Sequence, residues 1–226
     1  DAESRALRPG GRIVWQADGR LRQADARRFD LLPLRISGPA SGVEHDLMPR
    51  LRTAAGESGA GLVLPPRTER GISFMAPERY DLSAHLRRRS GEEALALVLP
   101  RMQGGPLVAI LGGWRDTRQG FNLLGGEADR LNPTALWLPL FDQPGQVDYH
   151  LIARIRGAAV SIYLDGELLL DYHPGLELPA SDSLAWPSVA PGRLQWSTHA
   201  ASYELRDCRV FLQVPPEAVD MYGPQE

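Results

Sequence analysis

One stretch of the chain places an indole, two carboxylates, a cation and an amide within fourteen positions: Trp114, Arg115, Asp116, Asn122 and Glu127. That mixture suits a carbohydrate. The ring stacks on the apolar face of a pyranose, and the charged and amide groups take its hydroxyls. The other reading is a tryptophan that anchors its own loop. A second tryptophan, Trp137, sits in the apolar run ALWLPLF with Leu136, Leu138 and Phe141. Such a run is too apolar for an ordinary solvated loop. It packs on its own domain, faces lipid, or joins Leu31, Leu32 and Leu34 of FDLLPLRI in a docking surface for a protein partner.

Catalysis by paired carboxylates needs two groups facing each other across a cleft, about 5 to 9 Å apart. Asp116, Glu127, Asp129 and Asp142 fall in loops that could converge, but they read as well as solvent-facing charge, so no catalytic residue is assigned. The histidines (His45, His85, His150, His173 and His199) are scattered and show no metal-ligand spacing. His85 and His150 fall on the polar faces of two expected strands. Gly104–Gly105, Gly112–Gly113 and Gly125–Gly126 lack the spacing of a phosphate loop and read as tight corners. Arg87–Arg88–Arg89 reads as solvated charge at a sheet edge. The lone cysteine, Cys208, has no disulfide partner in the chain and reads as a small buried hydrophobe.

Composition limits the classes further. The 226 residues carry 25 basic and 28 acidic side chains, a net charge of -3, which argues against a polybasic nucleic-acid or membrane binder. No stretch reaches the roughly 18 apolar residues that a membrane-spanning helix needs. A chain of this length buries a core without metal or disulfide staples. Nineteen prolines and 23 glycines imply many turns and few long helices. The first residue is Asp1. A removed leader would place the protein in the periplasm or at the cell surface, and trimming is the equally simple alternative.

The elements that must hold these side chains show period two. Tyr80, Leu82, Ala84 and Leu86 alternate with polar neighbours. Residues 93–99 and 107–111 read as a hairpin near the centre of a sheet. Tyr149, Leu151, Ala153 and Ile155 continue the pattern, followed by Val160, Ile162 and Leu164. Asp165–Gly166 predicts a two-residue turn back into Leu168–Tyr172. Leu205, Cys208, Val210 and Leu212 point inward on the final strand, and the three-residue step after Leu205 predicts a bulge at Arg206–Asp207. Trp196, between polar neighbours, reads as buried. Helical turns are expected only at Gly126–Leu131 and Pro216–Tyr222. Near the N-terminus, Ala17–Asp18–Gly19 predicts a hairpin, and 37–58 reads as turn-rich. The sum is an all-β fold of two antiparallel sheets packed face to face. Residues 1–58 form an N-terminal extension packing on it, 59–214 the sandwich and 215–226 a tail.

The order of motifs from Gly59 to Gln213 resembles a known family. PERYDLSAHLRR, GGPLVAILGGW, QGFNLLGGEADRLNPT, DYHLIARIRGAAVSIYLDGELLLDY and LQWSTHAASYELRDCRVFL follow one another as in the concanavalin A-like, or laminin-G-like, β-sandwich (jelly roll). The nearest branch is the bacterial 3-keto-disaccharide hydrolase domain family. The resemblance implies that fold. It also implies a glutamate on a central strand after a glycine and an aromatic. Here that stretch is Gly120–Phe121–Asn122, and an amide does not exchange a proton near neutral pH. The expectation is therefore a non-catalytic extracytoplasmic binding or accessory module, acting on a glycan or within a larger protein assembly. A glycoside hydrolase or lyase acting on a (keto-)disaccharide is the alternative. The resemblance also brings in calcium, with Asp116, Asp129 and Asp142 as the pool of ligands.

Overall fold

Strand β7 (Arg79–Ser90) shows why this sequence makes a sandwich. Tyr80, Leu82, Ala84 and Leu86 are all buried on one side. Side chains on a strand alternate between faces, so Asp81, Ser83 and His85 go to the other. A computed structural model describes residues 39–40, 42–55, 61–102, 105–122, 134–137, 139–141, 144–145, 147–173 and 192–213, and the backbone of 6–8, 12–17 and 20–25. The remaining strands are β1 (Ala6–Arg8), β2 (Arg12–Ala17), β3 (Arg20–Asp25), β4 (Val43–Asp46), β5 (Leu62–Leu64), β6 (Glu69–Ser73), β8 (Leu95–Leu99), β9 (Leu107–Gly112), β10 (Arg118–Phe121), β11 (Leu136–Trp137), β12 (Tyr149–Arg156), β13 (Ala159–Leu164), β14 (Glu167–Tyr172), β15 (Arg193–Thr198) and β16 (Ser202–Leu212).

These strands build two antiparallel sheets of a jelly-roll sandwich. One has seven strands in the order β14-β13-β12-β7-β16-β4, with β5 also paired to β16. The other has six, in the order β11-β10-β9-β8-β15-β6. Among the described residues, strands β1, β2 and β3 pair with one another, and Ala17 lies opposite Arg20. The core joins the two inner faces. Tyr80, Leu82, Leu151 and Ile162 come from one sheet; Leu97, Ala109, Phe121 and Trp196 come from the other. The six-stranded sheet has a second buried cluster on its outer face, formed by Ala94, Ala96, Val98, Val108 and Ile110.

Local chemistry fixes the register. Asp165 and Gly166 have φ of 49° and 85°, the two positive values that a type I′ turn requires. On β16 the pairing with β7 steps from Leu205 to Asp207, so Arg206 is the extra residue of a bulge. That single insertion lets Leu205, Cys208 and Val210 all face the core. Two features depart from the sequence reading. The tract around HDLMPRL forms β4 and then helix α1 (Met48–Ala55), started by the Asp46 carboxylate accepting the Met48 N–H at 2.8 Å. Met48 and Leu51 bury the inner side of that helix. Arg88 is not solvated edge charge: β7 is central, and position 88 continues the inward series of Tyr80 to Leu86. The segments 29–36, 126–131 and 216–222 lie outside the described residues. No helix among the described residues is long and apolar enough to cross a membrane.

Candidate functional site

At one edge of the six-stranded sheet, β10 pairs with the short strand β11 so that Arg118 lies opposite Trp137. Residues opposite each other share a face. The same register puts Leu136 on the inner face, where it packs against the core. Trp137 is therefore turned outward and is 62% exposed. Trp114, in the connection from β9 to β10, is 44% exposed. The Arg118 guanidinium lies over both rings, with Cζ 3.5 Å from the centroid of Trp137 and 4.7 Å from that of Trp114. A cation against two indole faces is attracted by both ring quadrupoles. The result is an aromatic platform whose two rings share one clamp.

The turn that carries Trp114 is unusual. Trp114, Arg115 and Asp116 have φ of 50°, 59° and 61°, so three consecutive side-chain-bearing residues are left-handed. The turn closes with the Thr117 N–H donating to the Gly113 carbonyl at 3.0 Å. Each such residue costs about 1–2 kcal/mol, because Cβ crowds the following carbonyl. Neighbouring contacts hold the conformation. The Thr117 hydroxyl donates to the Trp114 carbonyl at 2.7 Å, and the Gly112 N–H donates to Gln119 Oε1. Gly112 has φ of 65°, and a Cβ there would sit 2.8 Å from the Phe141 ring.

Beneath the turn lies a buried ion pair. Asp116 accepts the Phe141 N–H at 2.9 Å and meets Arg88 Nη1 at 3.2 Å. Arg88 Nη2 in turn donates to the Phe141 carbonyl at 3.0 Å. Burial raises the Asp116 carboxyl above its ordinary pKa, while the Phe141 N–H and the Arg88 guanidinium pull it back down.

The structure thus redistributes the residues named from the sequence. Trp114 and Trp137, assigned to separate hypotheses, come together. Asp116 is not a solvent-facing ligand: its carboxylate is buried and committed to the backbone and Arg88. Phe141 is buried among Tyr149 and Tyr203 and is withdrawn from any docking surface. Arg115 is exposed beside Trp114, and Asn122 is half-buried at the end of β10. Leu31, Leu32, Leu34, Glu127, Asp129, Leu138 and Asp142 lie outside the described residues. Among the described residues no group of three acidic, histidine or cysteine side chains is arranged to hold a metal ion. Arg118 was missed because its link to Trp137 is a pairing across chain positions that no local period announces.

A polar network on the outer face of the seven-stranded sheet was also missed. Asp81 is fully buried there. Its Oδ2 accepts the Ala40 N–H at 2.6 Å and Arg154 Nη2 at 3.2 Å, and its Oδ1 meets Arg156 Nη2 at 2.7 Å. Alongside, the rings of His85 and His150 stack in parallel with centroids 4.4 Å apart. The Ser83 hydroxyl lies 2.8 Å from His150 Nε2. Burial, and then the neighbouring His85, lower the His150 pKa. The alternation of β7 and β12 gave the signal, since it puts Asp81, Ser83, His85, His150 and Arg154 on one face.

No protein-family model matches the sequence, and no curated protein matches it. Solved structures similar to the chain include carbohydrate-binding module CBM66 from Bacillus subtilis, at 14% identity and TM-score 0.45, covering 77% of this chain and 94% of that one. Another is the Caenorhabditis elegans galectin LEC-6, at 16% identity and TM-score 0.44, covering 66% and 94%. A third is the exoplasmic/lumenal domain of VIP36 in its Ca2+/Man-bound form, at 12% identity and TM-score 0.48, covering 81% and 85%.

Proposed function

We propose that this chain is a non-catalytic module that binds a glycan on the Trp114–Arg118–Trp137 platform, in an extracytoplasmic setting where polysaccharides are met. The observation that carries the reading is the pair of exposed indoles sharing one guanidinium. A pyranose offers an apolar face of C–H groups rimmed by hydroxyls. An indole covers the first, and cations at the rim take the second. Rings already held by Arg118 lose little freedom on binding, so less of the contact energy goes into ordering them.

The protein-docking alternative loses support at the described residues of the run. Of the apolar run 135–141, Leu136 and Phe141 turn to the core and Trp137 faces out. What remains at those positions is a ring rather than a broad apolar surface. A hydrolase would need a second carboxylate converging with a first, and Asp116 is already bound to Phe141 and Arg88.

The test is a printed array of neutral and uronate-bearing oligosaccharides, probed with the wild type, Trp114→Ala and Trp137→Ala. A central aromatic contact is worth about 2 kcal/mol, so each variant is expected to bind roughly 30-fold more weakly. Melting temperatures should hold, because both rings are exposed. A silent array, with the protein recovered from native extracts inside a stable large complex, would overturn the proposal in favour of an accessory subunit.

A further inference from the structure

We infer that Asp116 and Arg88 are positioning residues that set the two halves of the aromatic platform relative to each other; this rests on the glycan reading above. The backbone of Phe141 is held at both its N–H and its C=O by one ion pair. Its N–H goes to Asp116 at 2.9 Å, and its C=O takes Arg88 at 3.0 Å. Asp116 is also the last residue of the left-handed turn, two positions after Trp114. Phe141 lies four positions after Trp137, and the Leu140 N–H approaches the same carboxylate at 3.4 Å. One buried carboxylate therefore ties the turn that presents the first indole to the segment that presents the second.

Each end of this link is anchored in the core. Arg88 sits on the central strand β7, and its guanidinium lies 5.8 Å from the centroid of the Phe141 ring. The Phe141 ring packs edge-on against Tyr149 and Tyr203. A left-handed run of three side-chain-bearing residues would relax to ordinary backbone if nothing opposed it. The Asp116 carboxylate opposes it from the core side, and the Thr117 hydroxyl bond to the Trp114 carbonyl opposes it locally. Arg118 then closes the upper side by lying over both rings. The spacing of the indoles is consequently set from below by the ion pair and from above by Arg118. A ligand that spans both rings reads that spacing.

The experiment compares Asp116→Asn, Arg88→Lys, the pair Arg88→Met with Asp116→Asn, and Val210→Ala. Asparagine keeps an acceptor for Phe141 but loses the charge. Lysine keeps the charge but loses the planar fork. The double variant removes both charges together, so no orphan ion stays buried. Val210→Ala loosens the core on β16, away from the clamp. Acrylamide quenching of tryptophan fluorescence and near-ultraviolet circular dichroism report the indoles without ligand. The oligosaccharide array at graded protein concentration reports affinity. The clamp variants that fold should show greater quenching, an altered aromatic spectrum and about tenfold weaker binding. Val210→Ala should lower the melting temperature and leave all three unchanged. If the folded clamp variants keep wild-type quenching, spectrum and affinity while Trp114→Ala loses binding, the positioning role is refuted and the glycan reading stands. If Trp114→Ala and Trp137→Ala both bind like wild type, the glycan reading itself fails. Should Asp116→Asn not fold, Arg88→Lys alone decides between these outcomes.

Discussion

Replacing Asp81 by asparagine isolates one charge in the network over the seven-stranded sheet. The carboxylate is fully buried and faces Arg154 and Arg156, whose side chains are 16% and 28% exposed. Asparagine is nearly isosteric and keeps an oxygen for the Ala40 N–H, so the change removes charge and little else. Breaking a buried ion pair by removing one partner costs about 3–5 kcal/mol, because the other charge is left without compensation. Here the stranded guanidiniums retain some contact with water, which places the loss near the lower end, about 3 kcal/mol. For a domain of this size each kcal/mol moves the melting temperature by about 2–4 °C. The expected shift is therefore downward by roughly 6–12 °C. Scanning calorimetry gives the temperature. A guanidinium titration should show a lower midpoint at an unchanged slope. Amide exchange should quicken at Ala40, whose N–H loses a charged acceptor. A shift below about 2 °C would refute the reasoning, since it would mean that the two guanidiniums are as well solvated without Asp81 as with it.

Further outcomes are expected elsewhere. Gly112→Ala should destabilise by more than Gly105→Ala: both have positive φ, but only at Gly112 would the new methyl meet the Phe141 ring, at 2.8 Å; equal melting shifts would contradict this. His150 has a lowered pKa through burial and the stacked His85, with Asp165 and Asp207 opposing. Its contribution to stability is thus present above about pH 6.5 and lost as the pH falls through the folded value. Lowering the pH through that window should lower the melting temperature of the wild type more than that of His150→Gln. Burial pushes the Cys208 thiol up to about 12, so dithionitrobenzoate should leave it unlabelled in the native protein and label it fully in denaturant.

The alternating residues made the sandwich legible. Tyr80 to Leu86 fixed one inner face, and Asp165–Gly166 fixed a turn by its backbone demands. The three-residue step from Leu205 to Cys208 announced the bulge, because only an extra residue keeps both inside. Arg88 was legible too: it stands at the next even position after Leu86, and the run of three arginines drew attention to charge and away from phase. What was not legible depends on contacts between distant segments. The pairing of Arg118 with Trp137 joins two strands that stand well apart in the sequence. The burial of Asp116 depends on where the Phe141 peptide arrives. Helix α1 was missed because its eight residues hold a proline and two arginines and its apolar positions are few. Its start depends on the Asp46 cap and its packing on Met48 and Leu51.

The position of β16 bears on how the chain is made. This strand ends the described sequence, yet it pairs with β7 along its length, with β5 through Tyr203–Leu205 and with β4 through Arg209–Leu212. Strand β6 likewise depends on β15. During synthesis from the N-terminus, the strands of residues 43–73 must therefore wait, without their sheet partners, until residues 193–212 have emerged. Closing such long loops is slow, and unpaired strand edges remain open to other chains in the meantime. Emergence of residues 193–212, rather than formation of any early hairpin, sets the moment at which both sheets are completed.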